Sequence, residues 1–274
     1  MKFNSGIKVF APLVVSKFLC NLETFTFPLN EVGIQLSVKP APADQKELIE
    51  VKASKPFWHY AAFIKEVAAA FLTKLDKSES PICFDFKLIG TTDFDFCIME
   101  SSLVATIFSM NEYFRRPYER RDLLPIMQEC ALPYPLNRTA LNACLLGGLS
   151  FNADSTYLKH QRLFVPPAFR FYAFLDTNDF SPQTYTTEQV ATASASFVHA
   201  TYRTDFGLLF QGFPKHAVNA VFPEFAICAW TDFDLNYTGV FLNNTTDFSF
   251  LQKEIFPNSL FFEGTINQEG CFLC

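Results

Sequence analysis

The chain has 274 residues, 49% hydrophobic and 18% charged, with a formal net charge of −6. That length favours one large or two medium domains, and the composition is that of a folded chain rather than a disordered one. The acidic balance argues against a nucleic-acid partner, which needs clustered Lys and Arg to displace counterions. Residues 1–8 hold no sustained apolar core of an export signal, and no later stretch reaches the ~18 apolar residues of a membrane span, so a cytoplasmic protein with no membrane partner is expected.

Eight cysteines sit mostly inside apolar runs, which predicts reduced, buried thiols; the single Cys-x-x-Cys at 271–274 is too little for a four-ligand zinc site. Against 34 Phe there are only 10 Gly. Few positions can therefore bring backbone close to a ligand or take a positive φ.

In chain order, residues 7–15 and 33–39 read as strands flanking an apolar stretch with Pro28. Residues 58–75 place Ala61, Ile64, Ala68 and Phe71 on one face, an amphipathic helix. Residues 82–89 alternate as a half-buried strand, and Gly90–Asp93 reads as a turn. A helix over 101–114 is expected to be capped by Ser101 or Ser102, and a second over 119–131 to kink at Pro125. The arginines 115, 116, 120 and 121, beside Glu112, Glu119 and Asp122, predict a solvated, locally neutralised helix junction. Strands follow at 144–151 and 169–175, then a polar boundary at 176–187, a helix over 188–211, a short helix over 224–230, and strands at 238–242, 248–251 and 259–262. The four histidines, 59, 160, 199 and 216, stand at no catalytic spacing with a nucleophile.

Several local strings resemble homoserine kinases of the GHMP family. Lys8-Val9-Phe10-Ala11-Pro12 is similar to their opening strand, Leu145-Leu146-Gly147-Gly148 to the segment after their active-site helix, and Gly264-Thr265-Ile266-Asn267-Gln268-Glu269-Gly270 to their final turn. Phe114-Arg115-Arg116-Pro117 with Asp122-Leu123-Leu124-Pro125 resembles the helix connection after their phosphate loop. The resemblance implies an α+β, two-domain GHMP-kinase-like fold: an N-terminal mixed α/β domain over 1–175 and a smaller C-terminal sheet-and-helix domain over 176–274. It also implies transfer of the ATP γ-phosphate to the homoserine hydroxyl with Mg²⁺, homoserine as the small-molecule ligand, and a homodimer as an assembly to consider.

The phosphate motif is where this chain departs. Where the family has Pro-x-x-x-Gly-Leu-Gly-Ser-Ser, residues 94–102 read Phe-Asp-Phe-Cys-Ile-Met-Glu-Ser-Ser. Phosphoryl transfer needs backbone N–H groups aimed at phosphate oxygens, and a Cβ collides with the nucleotide. Ser101 and Ser102 remain, whereas Glu100 and Asp95 bring carboxylates into a loop meant for a polyanion. At ~4 Å and an effective dielectric of ~20, each like-charge contact costs about 4 kcal/mol. The family's glycine-rich third motif falls on 242–248, which has no glycine. By the same alignment Lys17 and Glu23 are the substrate-binding candidates, Glu23 facing an ammonium, and Glu129 is the Mg²⁺ candidate. Three functions follow: a homoserine-kinase-like protein with reduced or lost catalysis, an active kinase with an atypical ATP loop, or a non-catalytic binding or regulatory module.

Overall fold

A computed structural model describes residues 6–19, 23–53, 60–90, 96–132, 134–152, 161–163, 170–176, 226–232, 237–242 and 259–274. β1 (Ile7–Leu19) and β2 (Glu23–Pro40) form one long antiparallel hairpin whose register shifts between Pro12 and Val14. Alternation sets its two faces: Ile34, Leu36 and Val38 are fully buried, while Gln35 and Ser37 between them are half-buried. The hairpin takes in Pro28 as a strand residue opposite Val14. Pro28 has no N–H to donate to the ladder, and its carbonyl accepts from Asn267 N at 2.7 Å.

β3 (Ile49–Ala53) runs parallel to β4 (Ile82–Ile89), with α1 (Tyr60–Lys74) as the crossover that parallel pairing demands. β5 (Leu149–Asn152) pairs with the start of β2, and β6 (Gln161–Leu163) with β5. β11 (Phe272–Leu273) joins the outer edge of β1, so this mixed sheet runs β11-β1-β2-β4-β3 with β5 and β6 attached at β2. A second, antiparallel sheet has the order β10-β7-β9-β8, from β7 (Arg170–Asp176), β8 (Ala226–Asp232), β9 (Tyr237–Leu242) and β10 (Ser259–Thr265). The mixture of sheets and helices is the α+β class expected. β7, which precedes residue 176, pairs in the second sheet, and β11, at the chain's far end, in the first.

α2 (Ile98–Tyr113) packs on β1 and β2 and is flanked by α1, α3 (Leu123–Cys130) and α4 (Arg138–Leu146). Every residue from Ser101 to Asn111 is buried, as in a helix enclosed on all sides. Its hydroxyls are absorbed by backbone: Thr106 Oγ1 donates to Ser102 O at 2.8 Å and Ser109 Oγ to Thr106 O at 3.0 Å.

Four sequence expectations change. α2 begins at Ile98, not 101, with Cys97 as its N-cap. The kinked helix over 119–131 is a 3₁₀ turn, Arg120–Asp122, followed by α3; Pro125 falls in the first turn of α3, where no intrahelical N–H bond is lost. The stretch 144–151 divides into the end of α4 and β5, because Asn137 caps a helix there. The helix expected over 224–230 is strand β8, whose Trp230 and Thr231 pair with Gly239 and Thr238 of β9. Residues 177–211 and 248–251 lie outside the described residues.

Candidate functional site at the start of α2

The chain enters α2 through two residues that fix its position. Phe96 is 1% exposed, stacks edge-on against Phe262 at 5.3 Å, and its carbonyl accepts from Val14 N at 3.3 Å. Cys97 follows in the left-handed region, φ 43° and ψ 48°, and makes no side-chain cap. That conformation costs a non-glycine residue roughly 1–2 kcal/mol, so the turn keeps a glycine-like shape without a glycine. Ile98, at the first glycine position of the aligned motif, is already helical and buried.

Glu100 stands in the first turn, and its Oε1 accepts from Asn137 N at 2.9 Å. Asn137 is the N-cap of α4, its Oδ1 accepting from Thr139 N at 3.0 Å and Ala140 N at 3.3 Å. In a capping box the N-cap's own N–H is taken by a Glu three residues on. That position here is Ala140, and Glu100 supplies the carboxylate from another helix. One anion thus lies at the N-terminal ends of two helices, where both dipoles favour it.

Neither expected serine caps the helix. Ser101 and Ser102 are both 0% exposed, Ser101 Oγ donating to Pro12 O at 2.9 Å and Ser102 Oγ to Ile98 O at 2.7 Å. Pro12 O also accepts from the Cys144 thiol at 3.3 Å. Burial pushes the Cys144 thiol up to about 12, so it stays protonated and uncharged beside the serine.

The other sequence candidates lie elsewhere. Glu129, in the last turn of α3, is 57% exposed and forms an ion pair with Lys74 of α1. Register sets Lys17 opposite Phe25 and Glu23 opposite Leu19, diagonal positions at the turn end of the β1–β2 ladder. Pro12 and Val14, which touch the entry to α2, precede Lys17 by five and three positions. Asp95 and the aligned third motif beyond Leu242 lie outside the described residues. Among the described residues, no group of three His, Cys, Asp or Glu side chains could hold a metal ion.

Sequence reasoning missed one arginine that organises the region. Arg115, Arg116 and Arg121 are exposed, and Arg116 pairs with Glu112 at 2.7 Å, as a solvated junction requires. Arg120 instead turns inward: Nε donates to Leu145 O at 3.0 Å, and Nη2 to Glu269 O at 2.9 Å and Cys271 O at 2.6 Å. The guanidinium lies 5.4 Å from the Phe108 ring centre. It satisfies a late carbonyl of α4 and holds the C-terminal segment against it. The same junction joins two of the strings that carried the resemblance. Gly147 has φ 75° and ψ 176°, a region open only to glycine, and a Cβ there would stand 2.4 Å from Gly270 N. Asn267 ties the turn down, its Oδ1 accepting from Gly270 N at 2.6 Å and its backbone O from Gly148 N at 2.7 Å.

No family model and no curated protein matches the sequence. Solved structures do match along the whole chain. It is similar to a homoserine kinase from Cytophaga hutchinsonii, at 16% identity with a TM-score of 0.75, over 100% of this chain and 99% of that one. It is also similar to the mevalonate kinase of Methanococcus jannaschii, at 8% identity and TM-score 0.67 over 96% and 99% of the two chains. A third match is a mevalonate pyrophosphate decarboxylase from Streptococcus pyogenes, at 9% identity and TM-score 0.63 over 96% and 97%. The chain has the GHMP-kinase fold, a scaffold whose members differ in substrate and in reaction.

Proposed function

We propose that this chain is a homoserine-kinase-like protein in which phosphoryl transfer is reduced or lost and small-molecule binding is kept. The observation that carries this reading is Glu100: its carboxylate holds the N–H of Asn137 at the converging starts of α2 and α4. The place that a phosphate would need is taken by the protein's own anion.

The residues present do not fit a Mg²⁺–triphosphate at this helix start. Both motif hydroxyls already donate to backbone carbonyls inside the core, so reaching a metal or a phosphate would break buried bonds. Ile98 fills the glycine position that would let a nucleotide approach. Glu129, the aligned Mg²⁺ candidate, is engaged with Lys74. A polyanion entering beside Glu100 meets like charge, about 4 kcal/mol per contact at ~4 Å and a dielectric of ~20.

The substrate side of the reading rests on Glu23 and Lys17, a carboxylate for an amino acid's ammonium and an ammonium for its carboxylate, at one end of the β1–β2 hairpin. Homoserine is the ligand this reading assigns. The test is calorimetric titration with homoserine and with Mg-ATP, followed by a coupled ADP-release assay. Heat with homoserine alone and no ADP release is expected. Micromolar Mg-ATP binding with homoserine-dependent turnover would overturn the proposal.

A further inference from the structure

The helices cover one face of the mixed sheet, and the other face carries lysines that make no ion pair among the described residues. Register lays out that face row by row. Lys8 of β1 pairs with Ser37 of β2, Ser37 with Asp85 of β4, and Asp85 with Lys52 of β3. In the next row Phe10, Gln35 and Lys87 stand side by side. Lys39 lies two residues beyond Ser37 on the same face of β2. Lys8, Lys39 and Lys87 therefore stand around Ser37 at lateral, axial and diagonal positions, separations of roughly 5–8 Å that long side chains span, and Gln35 lies beside Lys87.

Together with Gly6 and Asp85 these residues line an open trough of about 330 Å³. A side chain at Gly6 would collide with the Lys39 stem, its Cβ only 2.6 Å from Cγ. On the adjoining strand Lys52 and Glu50 pair at 3.8 Å, so charge is balanced there. Within the trough the three lysines make no ion pair among the described residues, although like charges on neighbouring strands repel. The chain as a whole is acidic, with a net charge of −6, so this local excess of positive charge runs against its average.

We propose that this trough binds a small phosphomonoester. Three ammonium groups around one centre suit a compact dianion with three terminal oxygens better than a monovalent carboxylate with two. The Ser37 hydroxyl and the Gln35 amide add neutral donors, and Asp85 accepts from an amine or hydroxyl next to the phosphate. The sheet lies between this trough and the start of α2. Its ligand is therefore independent of Glu100, and the proposal stands whether or not the reading of that site does.

The test is titration of the protein with O-phosphoserine, serine, inorganic phosphate and sulfate, followed by calorimetry at low and at physiological ionic strength. O-Phosphoserine is expected to bind, serine not, and inorganic phosphate more weakly. A Lys39→Gln/Lys87→Gln variant should lose at least about tenfold in affinity with an unchanged melting midpoint, since both lysines are exposed. Asp85→Asn should weaken O-phosphoserine but not inorganic phosphate. Three results would overturn the proposal: no binding by the wild type, equal binding by the double lysine variant, or sulfate and O-phosphoserine binding alike.

Discussion

Replacing Glu100 by glutamine removes a charge and little else, which makes it the sharpest probe of the α2 entry. The amide oxygen can still accept from Asn137 N, now 2.9 Å from Oε1. The stability cost is about 1 kcal/mol, the difference between a charge-assisted and a neutral hydrogen bond plus the helix-dipole contribution. Glu100→Gly goes further: it strands the Asn137 N–H, at about 1–3 kcal/mol, and adds about 1 kcal/mol for glycine inside a helix. A phosphate oxygen competing for the same N–H would stand ~4 Å from the carboxylate, and at a dielectric of ~20 the repulsion removed is about 4 kcal/mol. Unscreened, that is on the order of a thousandfold in affinity, and salt reduces it to roughly a hundredfold. Mg-ATP affinity should be measured by calorimetry for both variants, next to urea unfolding curves. Tighter binding in Glu100→Gln with near wild-type stability is expected. If both variants bind Mg-ATP no better than the wild type, charge at this position is not the barrier and the reasoning fails.

The remaining predictions concern the frame around that site. Cys97→Gly relieves a left-handed backbone at a position where glycine also serves as an N-cap; it should stabilise by about 0.5–1 kcal/mol, read as a higher melting midpoint, and a lower midpoint would count against the strain. Arg120→Lys replaces a fork reaching three carbonyls by a single ammonium, and should cost about 2–3 kcal/mol in urea unfolding, while Arg121→Lys should cost almost nothing. Burial raises Cys144 from 9.0 to about 12 and Cys130 to about 11, so above pH 9 the folded chain binds more protons than the unfolded one. Their contribution to stability is complete below pH 9 and is lost as pH rises toward 11–12. The slope is about 1.4 kcal/mol per pH unit for each thiol. Unfolding midpoints measured from pH 8 upward should fall less steeply in Cys144→Ala, and an identical slope would contradict this.

Where hydrophobic period and local chemistry agreed, the fold was legible: β4 falls on the residues whose alternation marks it, and α1 on the stretch with Ile64, Ala68 and Phe71 on one face. The errors fell where a short element is decided by its surroundings. Residues 138–146 hold too few turns to show a helical period clearly, yet Asn137 ahead and Gly147 behind are its cap and stop, and weighing them would have revealed α4. At 224–230 an apolar run fits helix or strand equally, and pairing with β9 decides. The departure at Glu100 was visible as a carboxylate in a glycine's place, but its partner was not, because Asn137 is 37 positions away in the chain. Arg120 could not be told from its neighbours 115, 116 and 121 by sequence, since its acceptors are all backbone carbonyls.

The pairing of β1 with β11 has a consequence for how the protein is made. Val9 and Phe10 meet Leu273 and Phe272, and Lys8 O accepts from Cys274 N at 2.9 Å. While the polypeptide is being synthesised, the outer edge of the first strand must wait for more than 250 residues before its own partner emerges. Until then it offers unpaired amides and carbonyls to any neighbouring nascent chain, the circumstance in which edge-to-edge misassembly begins. Completion of this sheet is therefore a long-range closure, and ribosome-bound chains not yet extended through Phe272 and Leu273 should depend more on chaperones than chains that include them.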